Sequence, residues 1–471
     1  MRFQPDSLYY GDCLDVMREW PAGCVDLCYL DPPFNSKANY NILFGRDKGQ
    51  ADLAGDSFAQ FVAFEDTWHW DDAAQDRVDA IEMAIGHEAH DVIRGLRIVL
   101  GECGMLAYLS YMAERLIEIR RVLKPEGSVY LHCDPTASHY LKAVMDAVFG
   151  ERNFRNEVVW CYKENEAATR HFPRKHDVLL YYTKSDNRTF NVVRSSQPTE
   201  AQLKRYNHII DGERYANMKG KMRKLEGGAK VRDWWPLPIA QKSERLGYPT
   251  QKPVALLERI IKASSDRGDI VLDPFCGCGT TVEAARNLNR RFVGIDISHF
   301  AIDLVRDRRL ADRSIPVNGV PVDMRTAELM ARENPFDFEK WAVTRVPGMV
   351  PNAKQVGDSG IDGRGKLLDG GLVLAQVKGG KFALGQLRDF LHVVGRESAE
   401  CGIFTTLHPV RSPNAKREAS AAGYLELGVN RYPKAQFWSI EDYFQNRHPT
   451  LPPLADPYTG KPMQMDILAS V

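Results

Sequence analysis

The segment that most constrains the fold begins with Ile270-Val271-Leu272, which runs apolar into Asp273 and turns through Gly277-Cys278-Gly279. It continues as Thr280-Thr281-Val282-Glu283-Ala284-Ala285 and closes on a second apolar run, Arg291-Phe292-Val293-Gly294-Ile295, that ends in Asp296. Short apolar runs bounded by turn residues read as strands buried on both faces, and the stretch between them carries helix formers. Strand, glycine turn, helix and strand within about thirty residues make a βαβ unit, which requires a parallel sheet covered by helices. The glycines let the backbone approach a bound group, and Asp296 at a strand end is placed to accept hydrogen bonds from ribose hydroxyls. A lone Gly-x-Gly turn would be weak evidence, but acids at both strand ends strengthen it.

A dinucleotide loop would carry a third glycine, and Thr280 to Glu283 offers none, so S-adenosylmethionine is favoured over NAD. A second motif agrees. Val25-Asp26-Leu27-Cys28-Tyr29-Leu30 reads as another buried strand and ends in Asp31-Pro32-Pro33-Phe34. Open α/β sheets place their chemistry at the carboxyl ends of strands. Asp31 can accept one proton of an NH₂ group and the Pro32 carbonyl the other, because Pro33 holds the backbone extended. With both protons held, the nitrogen lone pair leaves conjugation with the ring and points at an incoming methyl group. Phe34 offers a face for a flipped-out base. Alone, the motif reads equally well as a strand closed by a Pro-Pro turn; the cofactor motif favours the chemistry.

With both motifs in view, the chain resembles the β-class amino-methyltransferases of DNA, in which the catalytic motif precedes the cofactor motif. The resemblance spans residues 5–310. It includes Tyr10-Gly11-Asp12, Leu123-Lys124-Pro125-Glu126-Gly127, Asn156-Glu157-Val158-Val159-Trp160 and Thr250-Gln251-Lys252-Pro253. It implies a Rossmann-like, doubly wound α/β domain entered at a permuted point. It also implies Asp12 near the cofactor's adenine, Lys252 and Pro253 at its methionine end, and Asp273, Phe275, Gly277, Gly279, Thr280 and Asp296 along the rest of its site. Cys278 departs from the small residue, usually Ser, found in the family. The family's Asp-Pro-Pro-aromatic motif goes more often with adenine N6 than with cytosine N4.

The composition fits an intracellular DNA enzyme, expected in the cytoplasm. At 471 residues and 44% hydrophobic content the chain is long enough for two or three domains. It has no run of about eighteen apolar residues and no apolar leader, so no membrane association is expected. The nine cysteines are scattered and Cys276-x-Cys278 has no partner pair, which argues against structural zinc. The absence of a Pro-Cys dipeptide argues against covalent cysteine chemistry at cytosine carbon 5, and the absence of a phosphate-binding Gly-x-x-x-x-Gly-Lys-Ser/Thr loop against ATP-driven translocation.

The formal net charge is zero but unevenly spread: residues 51–100 carry eleven acids against three Lys or Arg, and residues 201–250 eleven Lys or Arg against five acids. The basic stretch, with Lys221, Arg223, Lys224, Lys230 and Arg232 beside Trp234 and Trp235, is the candidate face for double-stranded DNA. A solvated charged insertion is the alternative, and Trp234 and Trp235 suit a core as well as DNA. The acidic stretch leads into a helix expected over 73–94, a cover on the site, with His69 structural because transfer from a sulfonium needs no strong base.

Beyond residue 310 the pattern changes. A turn through Gly357-Asp358-Ser359-Gly360-Ile361-Asp362-Gly363 leads into Leu372-Val373-Leu374-Ala375-Gln376-Val377-Lys378. An acid, a carbonyl-bearing side chain and a lysine two positions on can gather a hard divalent cation beside an ammonium. This resembles the Mrr-like PD-(D/E)xK nucleases, in which Gln replaces the second acid. The resemblance implies Asp362 and Gln376 as ligands of Mg²⁺, Lys378 as the third member of the core, and Glu339 as an auxiliary acid. A plain turn with an exposed lysine is the alternative.

The expected organisation is methyltransferase segments at 1–160 and 250–315, a target-recognition region at 161–249, a linker at 316–332, a smaller α/β nuclease-type domain at 333–448 and a tail at 449–471. The expected function is site-specific methylation of a base amine, most often adenine N6, joined to Mg²⁺-dependent cleavage in a restriction-modification or related defence role. The alternative is a methyltransferase whose C-terminal domain only binds DNA. A homodimer is compatible with the sequence.

Overall fold

The computed structural model describes residues 1–33, 39–42, 61–65, 68–83, 88–162, 170, 172–195, 197–246, 248, 250–352, 360–457 and 460–462. Phe34 and Gly357-Asp358-Ser359 lie outside them.

A nine-stranded sheet forms the larger part. Its strands lie in the order Trp234–Pro236, Phe154–Cys161, His176–Thr183, Leu123–Cys133, Val25–Leu30, Ile270–Asp273, Arg291–Asp296, Ser7–Tyr10 and Val317–Asn318. Neighbours run parallel except that His176–Thr183 is antiparallel to both strands beside it. Leu27, Cys28 and Leu30 are fully buried because both faces are covered, which explains the continuous apolar run. One face packs on Gly104–Val122 and Ser138–Phe149, the other on Val254–Ser264 and Thr280–Asn287. In Val254–Ser264, Leu256, Leu257, Ile260 and Ile261 recur at helical spacing and are fully buried. At about 2 kcal/mol each, their burial holds this helix on the sheet.

Val25–Leu30 and Ile270–Asp273 are hydrogen-bonded neighbours, with Val271 opposite Leu27 and Leu272 opposite Cys28. The chain leaves these two strands in opposite directions across the sheet. Their carboxyl ends therefore border the crevice at which open α/β sheets bind ligands.

Three segments differ from the sequence expectation. The acidic stretch forms two helices, Asp72–Met83 and His90–Leu100, where one was expected over 73–94. Within the stretch read as the recognition region, His176–Thr183 and Trp234–Pro236 belong to the main sheet. The excursion between them carries a separate antiparallel meander, His208–Ile210, Glu213–Met218 and Lys221–Lys224. The stretch read as a linker is built into the fold: Val317–Asn318 pairs with Ser7–Tyr10, and Met324–Glu333 is a helix capped by Asp323 and Thr326.

The C-terminal part has its own five-stranded sheet, ordered Val350–Pro351, Gly363–Lys366, Leu372–Lys378, Cys401–Thr406 and Ala435–Ser439. The first three strands are antiparallel and the last two join in parallel, with Leu384–Arg396 as the crossover helix. Phe338, Trp341, Val373 and Val377 fill one side and Leu374, Phe390 and Phe404 the other. Of the tail, Leu454 is buried in this core, and Asp456 pairs with Arg308 of the larger part. A second ion pair, Arg345 to Asp303, crosses the same boundary.

Candidate active site

The crevice between the two central strands opens into a cavity of about 150 Å³. Its wall includes Asp12, Asp31, Pro33, Lys252, Asp273, Phe275, Gly277, Thr280 and Asp296, residues drawn from separate segments of the chain. Asp31, Asp273 and Asp296 stand there because each ends a strand of the sheet on the same edge. Pro32 is buried directly beyond Asp31.

The glycine turn suits close approach. Gly277 has φ +47° and Gly279 φ +76°, both left-handed. A Cβ on Gly279 would stand 2.7 Å from the Val305 side chain, and one on Gly277 3.2 Å from the Tyr248 ring on the cavity wall. A side chain at either position would therefore run into Val305 or Tyr248, which keeps both positions glycine. Asp296 accepts Gly277 N–H and Ser298 N–H, both at 2.8 Å, which fixes its carboxylate beside the turn. Burial pushes its carboxyl up to about 6. Asp273, buried at the floor, is pushed up to about 7 by the same cause. These residues fit the nucleoside end of S-adenosylmethionine, with a carboxylate at hand for ribose hydroxyls.

Asp296→Ala is expected to weaken cofactor binding by about 1–3 kcal/mol, the scale of removing charge-assisted hydrogen bonds. Its raised pKa sets a pH dependence. The ionised carboxylate is the stronger acceptor, so affinity falls as pH drops through about 6. Calorimetry across the pH range around that value checks this: Asp296→Asn loses that limb, and an unchanged pH profile would contradict the assignment.

Asp12 lines the cavity, but both its oxygens are engaged. Oδ1 accepts the Leu14 N–H, capping a helix, and Oδ2 takes Arg115 at 2.5 Å. Arg115 is 3% exposed and lies over the Tyr111 ring at 3.2 Å. Neither Arg115 nor Tyr111 was singled out from sequence, since the pairing spans 103 residues and leaves no local pattern. Tyr248, whose ring faces Gly277, was also missed; its position just before Thr250-Gln251-Lys252-Pro253 was the available signal. Beneath the Asp31 strand end, Tyr29 Oη meets His132 Nδ1 at 2.8 Å and His132 Nε2 meets Asp177 at 3.1 Å. This buried chain, also unread from sequence, braces the floor. Cys278 is buried and its carbonyl accepts Arg309 at 3.0 Å. His69 is exposed.

The basic residues lie outside the cavity. Lys221, Arg223 and Lys224 are exposed on one edge strand of the meander, interleaved with exposed Met222, while exposed Ile209 and Ile210 lie on the opposite edge strand, and Lys230 and Arg232 are exposed on the return. Lys224 pairs with Glu213 at 3.1 Å. Trp234 is exposed and Trp235 buried, so the two tryptophans divide between surface and core. Neutralising Lys221, Arg223 and Lys224 together is expected to weaken DNA binding. Log K against log salt should flatten by about 0.9 for each phosphate that the protein no longer neutralises. A slope identical to the parent's would place DNA elsewhere.

In the C-terminal sheet, Asp362 stands directly before the strand Gly363–Lys366. Its N–H donates to the Ala375 carbonyl and its Oδ2 accepts the Val377 N–H at 2.7 Å, which sets it beside Gln376. Lys378 follows two residues on, on the same face. Gln376 is 7% exposed and its Oε1 has no hydrogen-bond partner among the described residues. Glu339 sits on the helix Pro335–Thr344, against the opposite face of the sheet. No group of three or more His, Cys, Asp or Glu that could hold a metal occurs among the described residues. No helix among them is long and apolar enough to cross a membrane.

The chain is similar to known proteins. The type II methyltransferase M.HpaI of Haemophilus parainfluenzae is 34% identical over 204 residues, covering 43% of this chain and 59% of that protein. The type II methyltransferase M.BamHI of Bacillus amyloliquefaciens is 28% identical over 306 residues, covering 64% and 56%. The chain thus spans under two thirds of the length of either relative. Among solved structures, an M1.HpyAVI–SAM complex matches at 17% identity and TM-score 0.36, covering 66% of this chain and 99% of that one. The cytosine-N4-specific PvuII DNA methyltransferase matches at 14% identity and TM-score 0.38, covering 66% and 87%. The profile of the N6/N4 methyltransferase family, described as DNA methylase, matches residues 25–307. That match covers more than half of the chain, which therefore belongs to the N6/N4 DNA methylase family.

Proposed function

We propose that this chain transfers a methyl group from S-adenosylmethionine to the exocyclic amine of a base in double-stranded DNA, adenine N6 being the target the Asp31-Pro32-Pro33-Phe34 motif favours. The observation that carries the reading is one cavity with an amine acceptor, Asp31, at one side and a glycine cradle with Asp296 at the other. When bound, the cofactor supplies an electrophilic methyl on a sulfonium. Asp31 and the Pro32 carbonyl hold the two amine protons and turn the nitrogen lone pair out of the ring plane. Asp296 and the turn at Gly277 to Gly279 hold the nucleoside, while Thr280, Phe275 and Lys252 line the rest and Pro253 lies just outside the lining. The exposed basic meander grips phosphates and leaves sequence choice to the neighbouring loops. Mapping modified bases in DNA from cells expressing this protein alone tests the reading. One short sequence context carrying N6-methyladenine supports it; N4-methylcytosine there would keep the mechanism and change the base. DNA carrying no new mark would defeat it.

A second centre is favoured by Gln376. A buried carbonyl oxygen without a partner among the described residues, beside the Asp362 carboxylate and two residues from Lys378, suits a hard divalent cation such as Mg²⁺. We infer a metal-dependent DNA nuclease there, giving a chain that both marks and cuts, as in restriction-modification.

A further inference from the structure

The amine acceptor is already engaged in this state. Lys252 Nζ reaches across the cavity to Asp31 Oδ2 at 2.5 Å, while Asp31 Oδ1 is buried without a hydrogen-bond partner among the described residues. One oxygen is held by Lys252 and the other is enclosed, so an incoming amine has to compete with Lys252 for Asp31. Lys252 is 9% exposed, and its ammonium also lies 3.5 Å from the Thr250 carbonyl, a neutral acceptor, so within this buried site the Asp31 carboxylate is the charge that its Nζ meets at hydrogen-bond distance. The preceding residue is anchored by its side chain, because Gln251 Nε2 donates to the Glu244 carbonyl and Gln251 Oε1 accepts the Leu246 N–H. The four-carbon stem beyond that anchor can swing.

We propose that Lys252 is a latch between the two halves of the site: it withholds Asp31 until it can exchange that carboxylate for the carboxylate of the cofactor's amino-acid end. The exchange trades one ion pair for another, so no buried charge is left uncompensated, and Asp31 becomes free to accept the amine. Lys252 is thus a positioning residue that makes acceptance of the base depend on cofactor. The inference rests on the S-adenosylmethionine reading above.

Calorimetry on the full chain tests it without methylation or a known target sequence. Two probes are used: S-adenosylhomocysteine, which keeps the carboxylate but has a neutral sulfur, and 5′-methylthioadenosine, which lacks the amino-acid end. Asp31→Asn breaks the latch, so S-adenosylhomocysteine is expected to bind about 10-fold tighter than to the parent, within the usual range of coupling between sites. Methylthioadenosine should change by less than about twofold, which also shows that the variant is folded, being well below typical coupling. In a Lys252→Met background, Asp31→Asn should leave S-adenosylhomocysteine affinity unchanged. Unchanged or weaker binding to Asp31→Asn, equal tightening of both probes, or tightening that persists without Lys252 would overturn the latch. Failure of both probes to bind the parent would instead defeat the cofactor reading, and the latch with it.

Discussion

Asp31→Ala is expected to lower methyl transfer by about 10³-fold or more, the scale of removing a preorganised group from a reacting centre, while S-adenosylmethionine remains bound. The separation follows from geometry. Asp31 ends the strand Val25–Leu30 and meets Lys252, whereas Gly277 and Gly279, read as the nucleoside cradle, lie in the turn after the neighbouring strand Ile270–Asp273, with Asp296 at the end of Arg291–Asp296. Single-turnover transfer and equilibrium cofactor binding, measured on the same preparation, check it. A loss of binding as large as the loss of transfer would show that Asp31 serves the cofactor, and the amine assignment would fall.

The second large effect concerns the C-terminal sheet. DNA cleavage is expected to require Mg²⁺ or Mn²⁺ and to disappear in Asp362→Ala and in Lys378→Ala, with methylation intact. The two parts have separate cores: Phe338, Trp341 and Val377 pack together in one, and Leu27, Leu256 and Val271 in the other. A chain that both marks and cuts must restrain one activity with the other, so cleavage should be blocked on DNA carrying its own mark. Plasmid cleavage on methylated and unmethylated substrates, with each metal, is the assay. Absence of cleavage in every combination would leave this sheet as a DNA-binding unit.

The strands that frame the cavity were legible because burial on both faces writes an apolar run, as in Leu27 to Leu30 and Ile270 to Leu272. The acids that end them were legible for the same reason: a charged residue closing such a run marks a strand end. The run from Val178 to Tyr182 carries the same signal, but it lies in a region judged by its charge, so a strand of the sheet was assigned to the recognition insertion. The expected helix over 73–94 spans a stretch that the chain folds as two helices. Pairings across long stretches of chain were invisible. Lys252 meets Asp31 across 221 residues and Arg115 meets Asp12 across 103, and no local period encodes either pairing. The linker reading missed a pairing of the same kind, Val317 against Leu8, which no local period encodes.

The central claim is methyl transfer to a base amine, and the most direct measurement is incubation of the purified chain with unmethylated DNA and S-adenosylmethionine bearing an isotopically labelled methyl, followed by mass spectrometry of the nucleosides. The account predicts label on an exocyclic nitrogen, as N6-methyl-2′-deoxyadenosine, and none in the Asp31→Ala reaction. Label on cytosine carbon 5, or no label in any nucleoside, would contradict it.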